Sequence, residues 1–149
     1  MGVAISGYLK ILSLAVLVLV VVGLVIVGVR GMAIVEGRSM EPLFHTGDVV
    51  FLEKKNPGEI KIGDIIVYES LDGKYIIHRI IGVYEAGGLV CYVVKGDNNP
   101  IPDPGVPPCP LRNGVRGVPY SRIKGVVVSV DDVPVKIPYL GGLTLLLRG

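Results

Sequence analysis

The sequence has little or none of three residue types: cysteine, histidine and tryptophan. It contains two cysteines, two histidines and no tryptophan among 149 residues. Cys91 and Cys109 do not belong to a metal-binding spacing, so they are either a disulfide pair or two structural thiols. The net charge is only +2 and the basic residues are scattered along the chain, which argues against a nucleic-acid-binding protein.

Charged residues are also absent from one long stretch near the N-terminus. Nineteen residues, 11–29, consist of Ile, Leu, Val, Ala, Gly and one Ser between Lys10 and Arg30. A helix of this length, at about 1.5 Å per residue, matches a hydrocarbon core of roughly 30 Å. The alternatives are a buried soluble helix and a cleaved signal sequence, whose apolar part is typically only about 7–15 residues long. The stretch therefore predicts one transmembrane anchor within an N-terminal segment 1–35, and its balanced flanking charges leave the orientation open.

The remaining residues, 36–149, are enough for one small domain. Short β-branched or aromatic runs alternate there with turns rich in Gly, Pro and Asp, which is typical of strands. The runs lie at 49–52, 65–68, 75–84, 89–94 and 126–130. Asp72-Gly73 predicts a type I′ hairpin turn between two of them. The predicted fold class is mostly β, a small β-rich domain that follows one N-terminal transmembrane helix.

Two segments of this domain have no strand pattern. The proline-rich segment 98–110 predicts an ordered but irregular loop. The segment 140–147 is apolar but too short to span a membrane. It is, in order of preference, an edge strand, a segment resting on the membrane, or the stump of a second helix.

A candidate nucleophile follows the apolar stretch. Ser39 lies a few residues beyond it, and a serine becomes a nucleophile only when a base activates it. Of the two histidines, His45 lies in a polar turn, whereas period-2 alternation places His78 on the same strand face as Ile76 and Ile80. Taken alone, such a histidine is more simply a core residue bonded to a backbone carbonyl.

The carboxylate expected to orient this histidine lies in segment 95–103. An aspartate in a Gly-Asp-Asn-Asn turn usually bonds its own backbone. Two aspartates in one rigid loop, Asp97 and Asp103, suggest instead that one holds the loop and the other contacts the histidine. The spacing does not decide between them.

Five motifs occur in order behind the apolar stretch. They are Gly-Arg-Ser-Met-Glu-Pro at 37–42, Gly-Asp-Val-Val at 47–50, Gly-Asp-Ile-Ile-Val-Tyr at 63–68, Ile-His-Arg-Ile at 77–80 and Lys-Gly-Asp-Asn-Asn at 95–99. From the anchor to about residue 130 the chain thus resembles type I signal peptidases, and Ile-Pro-Tyr-Leu-Gly at 137–141 is similar to a segment near the end of these enzymes. Because the bacterial branch has lysine where this chain has His78, the resemblance is to the archaeal and endoplasmic-reticulum branch.

This resemblance implies a serine endopeptidase, signal peptidase I, that cleaves signal peptides after small residues in the pattern Ala-x-Ala. Its substrates would be secretory precursors emerging from the Sec translocon. The enzyme would be a single-pass protein of the cell membrane, with the β-rich catalytic domain 36–149 on the extracytoplasmic side. By resemblance, Ser39 is the nucleophile, His78 the general base, Asp103 the triad acid and Asp97 a supporting or alternative acid. The resemblance implies no metal and no cofactor, and its partners are the precursors and the lipid bilayer.

One position departs from the family pattern. Many relatives carry, two residues before the nucleophile, a serine whose hydroxyl contributes to the oxyanion hole, and this chain has Gly37 there. The oxyanion is then expected to bind to backbone N–H groups near Ser39 or to another donor that the sequence does not identify. Two other functions remain: a related membrane serine protease acting on other tethered precursors, and a non-catalytic membrane-anchored β module. The second is disfavoured because every motif residue needed for catalysis is present.

Overall fold

The computed structural model describes residues 2–26 and 29–141, in which one helix precedes a domain made of strands. Helix α1 (Gly2–Ile26) begins and ends earlier than the predicted anchor at 11–29. Val29 belongs instead to strand β1 (Val29–Ile34), which pairs with the domain. Among the residues described, no helix meets the length and hydropathy of a membrane-spanning segment.

The domain is built on one antiparallel sheet with two small hairpins. After β1, its strands are β2 (Val49–Glu53), β3 (Ile65–Glu69), β4 (Tyr75–Ala86), β5 (Leu89–Lys95), β6 (Leu111–Arg112), β7 (Val115–Arg116), β8 (Val118–Pro119), β9 (Ile123–Val127), β10 (Ser129–Val130), β11 (Val133–Pro134) and β12 (Lys136–Ile137). The main sheet has the order β1-β2-β9-β3-β4-β5-β8, and β12 also pairs with β2. The hairpins are β6-β7 and β10-β11. The prediction of a mostly β domain is confirmed.

Four of the five predicted strands correspond to β2, β3, β4 and β5, because each has at least five residues with a clear β-branched or aromatic pattern. The fifth, 126–130, is divided at Val128. The N–H of Val128 donates to the carbonyl of Phe51, and its carbonyl accepts from Val135. The chain therefore leaves the main sheet there and enters the β10-β11 hairpin.

The tight hairpin turn lies at a different place from the predicted one. Gly87 and Gly88 form the two-residue link between β4 and β5, with φ of 59° and 75°. Positive φ at both positions is the mark of a type I′ turn. At Asp72-Gly73 the link between β3 and β4 covers residues 70–74, and of that pair only the glycine has positive φ, 77°. The type I′ prediction there is wrong, because the longer link does not require a positive φ at Asp72.

The hydrophobic core has two main parts, one on each face of β3. Ile66 and Tyr68 pack with Ile80 and Tyr92 on one face, whereas Ile65 packs on the other face. The second part also contains Met40, Phe44, Val50 and Val127. Because side chains alternate along a strand, β3 contributes to both. His78 lies directly opposite Ile66 in the β3-β4 pairing and therefore stands at the edge of the first part.

The irregular segment 98–110 is ordered, as predicted, and is attached to the sheet at several points. A disulfide joins Cys109 to Cys91 of β5, with an S–S distance of 2.03 Å, which resolves the two alternatives for the cysteines. The N–H of Asp103 donates to the carbonyl of Val94, and Val106 is part of the core. These attachments fix where the aspartate of this loop lies. The apolar segment 140–147 lies outside the described residues after Gly141, so its assignment stays a prediction.

Candidate active site

Ser39 lies in a compact turn that follows β1. The side chains of Met40 and Phe44 are buried in the core, and the N–H of Phe44 donates to the carbonyl of Met40 at 2.9 Å. At the start of the turn, the hydroxyl of Thr46 accepts from the N–H of Gly37 at 3.1 Å and donates to its carbonyl at 2.9 Å. Gly37 has φ of 92°, a conformation that favours glycine. The turn is therefore rigid on both sides of Ser39.

The loop 95–99 contacts the backbone of this turn through Asn98. The N–H of Asn98 donates to the carbonyl of Ser39 at 2.8 Å, and the side-chain amide of Asn98 donates to the carbonyl of Arg38 at 3.1 Å. Two parts of the chain about sixty residues apart are thus held in a fixed relation.

His78 is buried in β4 and contacts Asp103. Its Nδ1 lies 2.5 Å from Oδ2 of Asp103, and both side chains are 7% exposed. With Nδ1 engaged by a carboxylate, the other ring nitrogen, Nε2, is the one available to a reacting group.

Nε2 of His78 and the backbone of Ser39 converge at Gly96. A Cβ placed on Gly96 would lie 2.6 Å from the carbonyl oxygen of Ser39 and 2.9 Å from Nε2 of His78. Real Cβ atoms do not come this close to other heavy atoms, so only glycine fits without displacing the turn or the imidazole. The close approach brings the serine turn and the histidine to the same point in the structure.

Tyr68 is a member of this cluster that the sequence reasoning missed. Its hydroxyl donates to Oδ2 of Asp103 at 2.6 Å, and its side chain is 2% exposed. Burial, and then the hydrogen bond to the carboxylate, raise the pKa of Tyr68 far above its ordinary value. A strand register could have placed Tyr68 near His78. Ile66 pairs with His78, and Tyr68 is two residues from Ile66, so the side chains of Tyr68 and His78 lie on one face of the sheet.

Asp97 lies in a different environment. Its two oxygens accept from Nε and Nη2 of Arg79 at 2.8 and 2.7 Å, and Nη1 of Arg79 donates to the carbonyl of Gly63. The hydrogen bond with Asp97 raises the pKa of Arg79 above its ordinary value, although burial opposes the shift. Of the two aspartates, the structure therefore brings Asp103 to His78 and Asp97 to Arg79.

An ion pair between a buried carboxylate and a half-buried lysine holds the far side of the serine turn. Asp48 is fully buried and accepts from Nζ of Lys136 at 2.7 Å and from the N–H groups of His45 and Tyr139. Burial raises the pKa of Asp48, but the hydrogen bonds from Lys136 and the two N–H groups outweigh it, so the pKa is lowered overall. His45 therefore takes part in this support through its backbone and not in the cluster around His78.

A groove of about 700 Å³ opens beside Ser39. Its lining includes Ala33 of β1, Val35 just after that strand, and Ile76 and Ile77 of β4. The pairing of β4 with β5 begins only at Arg79, so the preceding residues of β4 have no strand partner on that side within 2–26 and 29–141. Among the described residues, no group of three or more His, Cys, Asp or Glu could hold a metal ion.

The chain was compared with known proteins. Residues 8–103 match the family described as signal peptidase, peptidase S26. The signal peptidase complex catalytic subunit sec11 of Schizosaccharomyces pombe is 32% identical over 142 residues, and the match covers 76% of this chain and 74% of that protein. The protein of the same name from Sclerotinia sclerotiorum is 35% identical over 117 residues, covering 76% and 62%. The catalytic subunit SEC11C of Homo sapiens is 33% identical over 118 residues, covering 77% and 56%.

The matched stretch includes Ser39, His78, Asp97 and Asp103. The chain spans less than two thirds of the Sclerotinia and human relatives and about three quarters of the fission yeast one. The signal peptidase assignment made from the five motifs is confirmed by these matches. The chain belongs to the signal peptidase family, peptidase S26, in the branch that includes the catalytic subunits of the endoplasmic-reticulum type.

Proposed function

We propose that this chain is a membrane-anchored serine endopeptidase that removes N-terminal signal peptides from secretory precursors. Ser39 is the nucleophile, His78 the general base, and Asp103 the acid that orients it. The observation that carries this proposal is the convergence at Gly96, where the serine turn and Nε2 of His78 lie against the same glycine. Asp97 supports the loop through Arg79.

The reaction begins when Nε2 of His78 takes the proton of the Ser39 hydroxyl and the serine oxygen attacks the scissile carbonyl. Asp103 stabilises the imidazolium that forms. The imidazolium then protonates the leaving amine, which becomes the new N-terminus of the mature protein. A water activated by His78 attacks the acyl-enzyme and releases the signal peptide.

Backbone groups stabilise the negative charge on the carbonyl oxygen during both steps. Within the part of the chain that is described, the N–H of Ser39 has no hydrogen-bond partner, so it is available to an oxyanion. The space beside Gly37 is open, since a Cβ built there meets no atom within 4 Å. This arrangement replaces the hydroxyl that many relatives provide at that position.

The groove beside Ser39 binds the precursor as an extended strand. The unpaired side of β4 before Arg79 offers backbone donors and acceptors to such a strand. In an extended peptide, the first and third residues before the cut point in the same direction. Both side chains would therefore enter the shallow groove lined by Ala33, Val35 and Ile76, which favours small residues at those positions.

Two features support a location on the extracytoplasmic side of a membrane. The Cys91–Cys109 disulfide suits an oxidising compartment. The described apolar side chains of α1 are exposed from residue 8 to residue 22, and a helix that is apolar on all faces needs an apolar surrounding. We therefore infer that α1 is a single lipid anchor. Ser39 then lies close to the membrane, where precursors leave the Sec translocon.

The substrate preference is tested with the purified full-length protein in detergent. A precursor with an Ala-x-Ala site should be cut once, after the second alanine. Replacing both alanines with phenylalanine should lower kcat/KM by about 10-fold to 200-fold or more, because a pocket shaped for a methyl group rejects a larger side chain. The control precursor changes only the central residue, which points away from the groove, and should be cut normally. Equal cleavage of all three would contradict this preference, and cleavage of none would contradict the enzyme function.

The anchor is tested by alkaline extraction of membranes that contain the full-length protein. The parent should remain in the membrane pellet. The double variant Leu14→Arg, Leu17→Arg should shift to the supernatant, because each central arginine costs roughly 2.5–3.5 kcal/mol of insertion free energy. The double alanine variant at the same positions is the control and should stay in the pellet. Release of the parent would rule out the anchor.

A further inference from the structure

The side chain of Tyr68 extends the cluster of His78 and Asp103 by one residue. The hydroxyl of Tyr68 and Nδ1 of His78 both contact Oδ2 of Asp103, at 2.6 and 2.5 Å. We propose that Tyr68 is a positioning residue for catalysis, which fixes the plane of the Asp103 carboxylate so that Oδ2 faces His78. The proposal rests on the serine mechanism above and adds a residue to it.

A carboxylate held by one hydrogen bond can still rotate about the bond that joins it to its Cβ. The backbone of Asp103 is fixed by its N–H, which donates to Val94, but this bond does not set the side-chain plane. Among the described residues, Tyr68 is the second side-chain donor to this carboxylate, after His78. Two donors in fixed positions leave one orientation, and the imidazole is then held with Nε2 towards Gly96 and Ser39.

A cavity beside the cluster makes this restraint necessary. It has a volume of about 310 Å³ and is lined in part by Tyr68, His78, Asp103 and Val106. Without the tyrosine hydroxyl, a water molecule from this cavity can bond to the carboxylate and let it turn. The raised pKa of Tyr68 keeps its hydroxyl protonated, and therefore a donor, at neutral pH and above.

The test compares two tyrosine-to-phenylalanine variants of the full-length protein. Tyr68→Phe should lower kcat by about 10-fold to 100-fold, the range expected for loss of a hydrogen bond to a charged group, while KM stays within twofold. Tyr92→Phe is the matched control, because Tyr92 is also fully buried and its hydroxyl donates to the carbonyl of Pro57 at 2.9 Å, outside the cluster. It should keep the parent kcat and lose a similar amount of thermal stability. A merely structural role predicts the same kinetics for both variants.

A double variant shows whether Tyr68 acts through Asp103. In the background of Asp103→Asn, adding Tyr68→Phe should change kcat by less than about twofold, since residues that act as a unit are not additive. Multiplication of the two losses would overturn the proposal, as would a Tyr68→Phe variant with the parent kcat. If the parent protein itself cleaves no precursor, the proposed function fails. If it cleaves and Tyr68→Phe is equally fast, the positioning role alone fails.

Discussion

Ser39→Ala is expected to abolish precursor cleavage and to leave the fold intact. Loss of a nucleophile in a catalytic triad typically lowers the rate by about 10⁴-fold to 10⁶-fold. The fold should survive because the turn is held by backbone and core contacts. The carbonyl of Ser39 accepts from Asn98, and Met40 is buried, whereas the serine hydroxyl has no hydrogen-bond partner in the described part of the chain. Alanine retains all of these backbone contacts.

Cleavage of a Sec precursor by purified variants, followed on a gel, measures this effect, and thermal unfolding verifies the fold. Ser121→Ala is a suitable control because Ser121 is exposed in the short 3-10 helix Tyr120–Arg122. It should cleave at the rate of the parent. Near-normal processing by a well-folded Ser39→Ala protein would end the serine-protease interpretation.

Asp103→Asn is expected to lower turnover by orders of magnitude with little change in melting temperature. The amide that replaces the carboxylate cannot stabilise an imidazolium and can hold His78 in the wrong tautomer, a change that costs about 10⁴-fold in the best-studied triads. Stability should change little, because the loss of a buried charge offsets the loss of hydrogen bonds from Tyr68 and His78. The effect is therefore kinetic.

Asp97→Asn should show the opposite balance, with a smaller loss of turnover and a larger change in melting temperature. Its bidentate pair with Arg79 is partly exposed, so its contribution is about 1 kcal/mol or less, which corresponds to a few degrees of melting temperature. Arg79→Gln removes the other half of the pair and should reproduce Asp97→Asn. An Asp97→Asn protein that is inactive yet fully stable, beside an active Asp103→Asn protein, would require the two roles to be exchanged.

The strands that could be predicted from the sequence are those with enough residues for a period-2 pattern, such as β3 and β4. Strand β1 was missed because the apolar run of the helix continues into it, and β8 and β12 because a two-residue strand has no period. The long-range pairing of β12 with β2 depends on contacts across nearly ninety residues, which no local pattern contains.

The residues of the candidate site also differ in how far they could be predicted from local sequence. Ser39 and His78 were selected because their motifs are local. The choice between Asp97 and Asp103 stayed open, because the position of Asp103 depends on attachments of the proline-rich loop to Val94 and to Cys91. The direction of the Asp97 side chain depends on its pairing with Arg79 of β4. Tyr68 could have been placed near His78 only by combining the predicted strands 65–68 and 75–84 with a register for their hairpin.

The Asp48–Lys136 ion pair makes the folding of the serine turn depend on a residue that is synthesised 88 positions after Asp48. Ser39 is among the first residues of the domain to leave the ribosome, yet the buried carboxylate behind its turn has no cation until Lys136 has been made. An unpaired buried charge costs about 3–5 kcal/mol, so the turn cannot reach its final form earlier. The serine turn would therefore take its final form only after the chain has been made as far as Lys136, and the protease would not become active before that point.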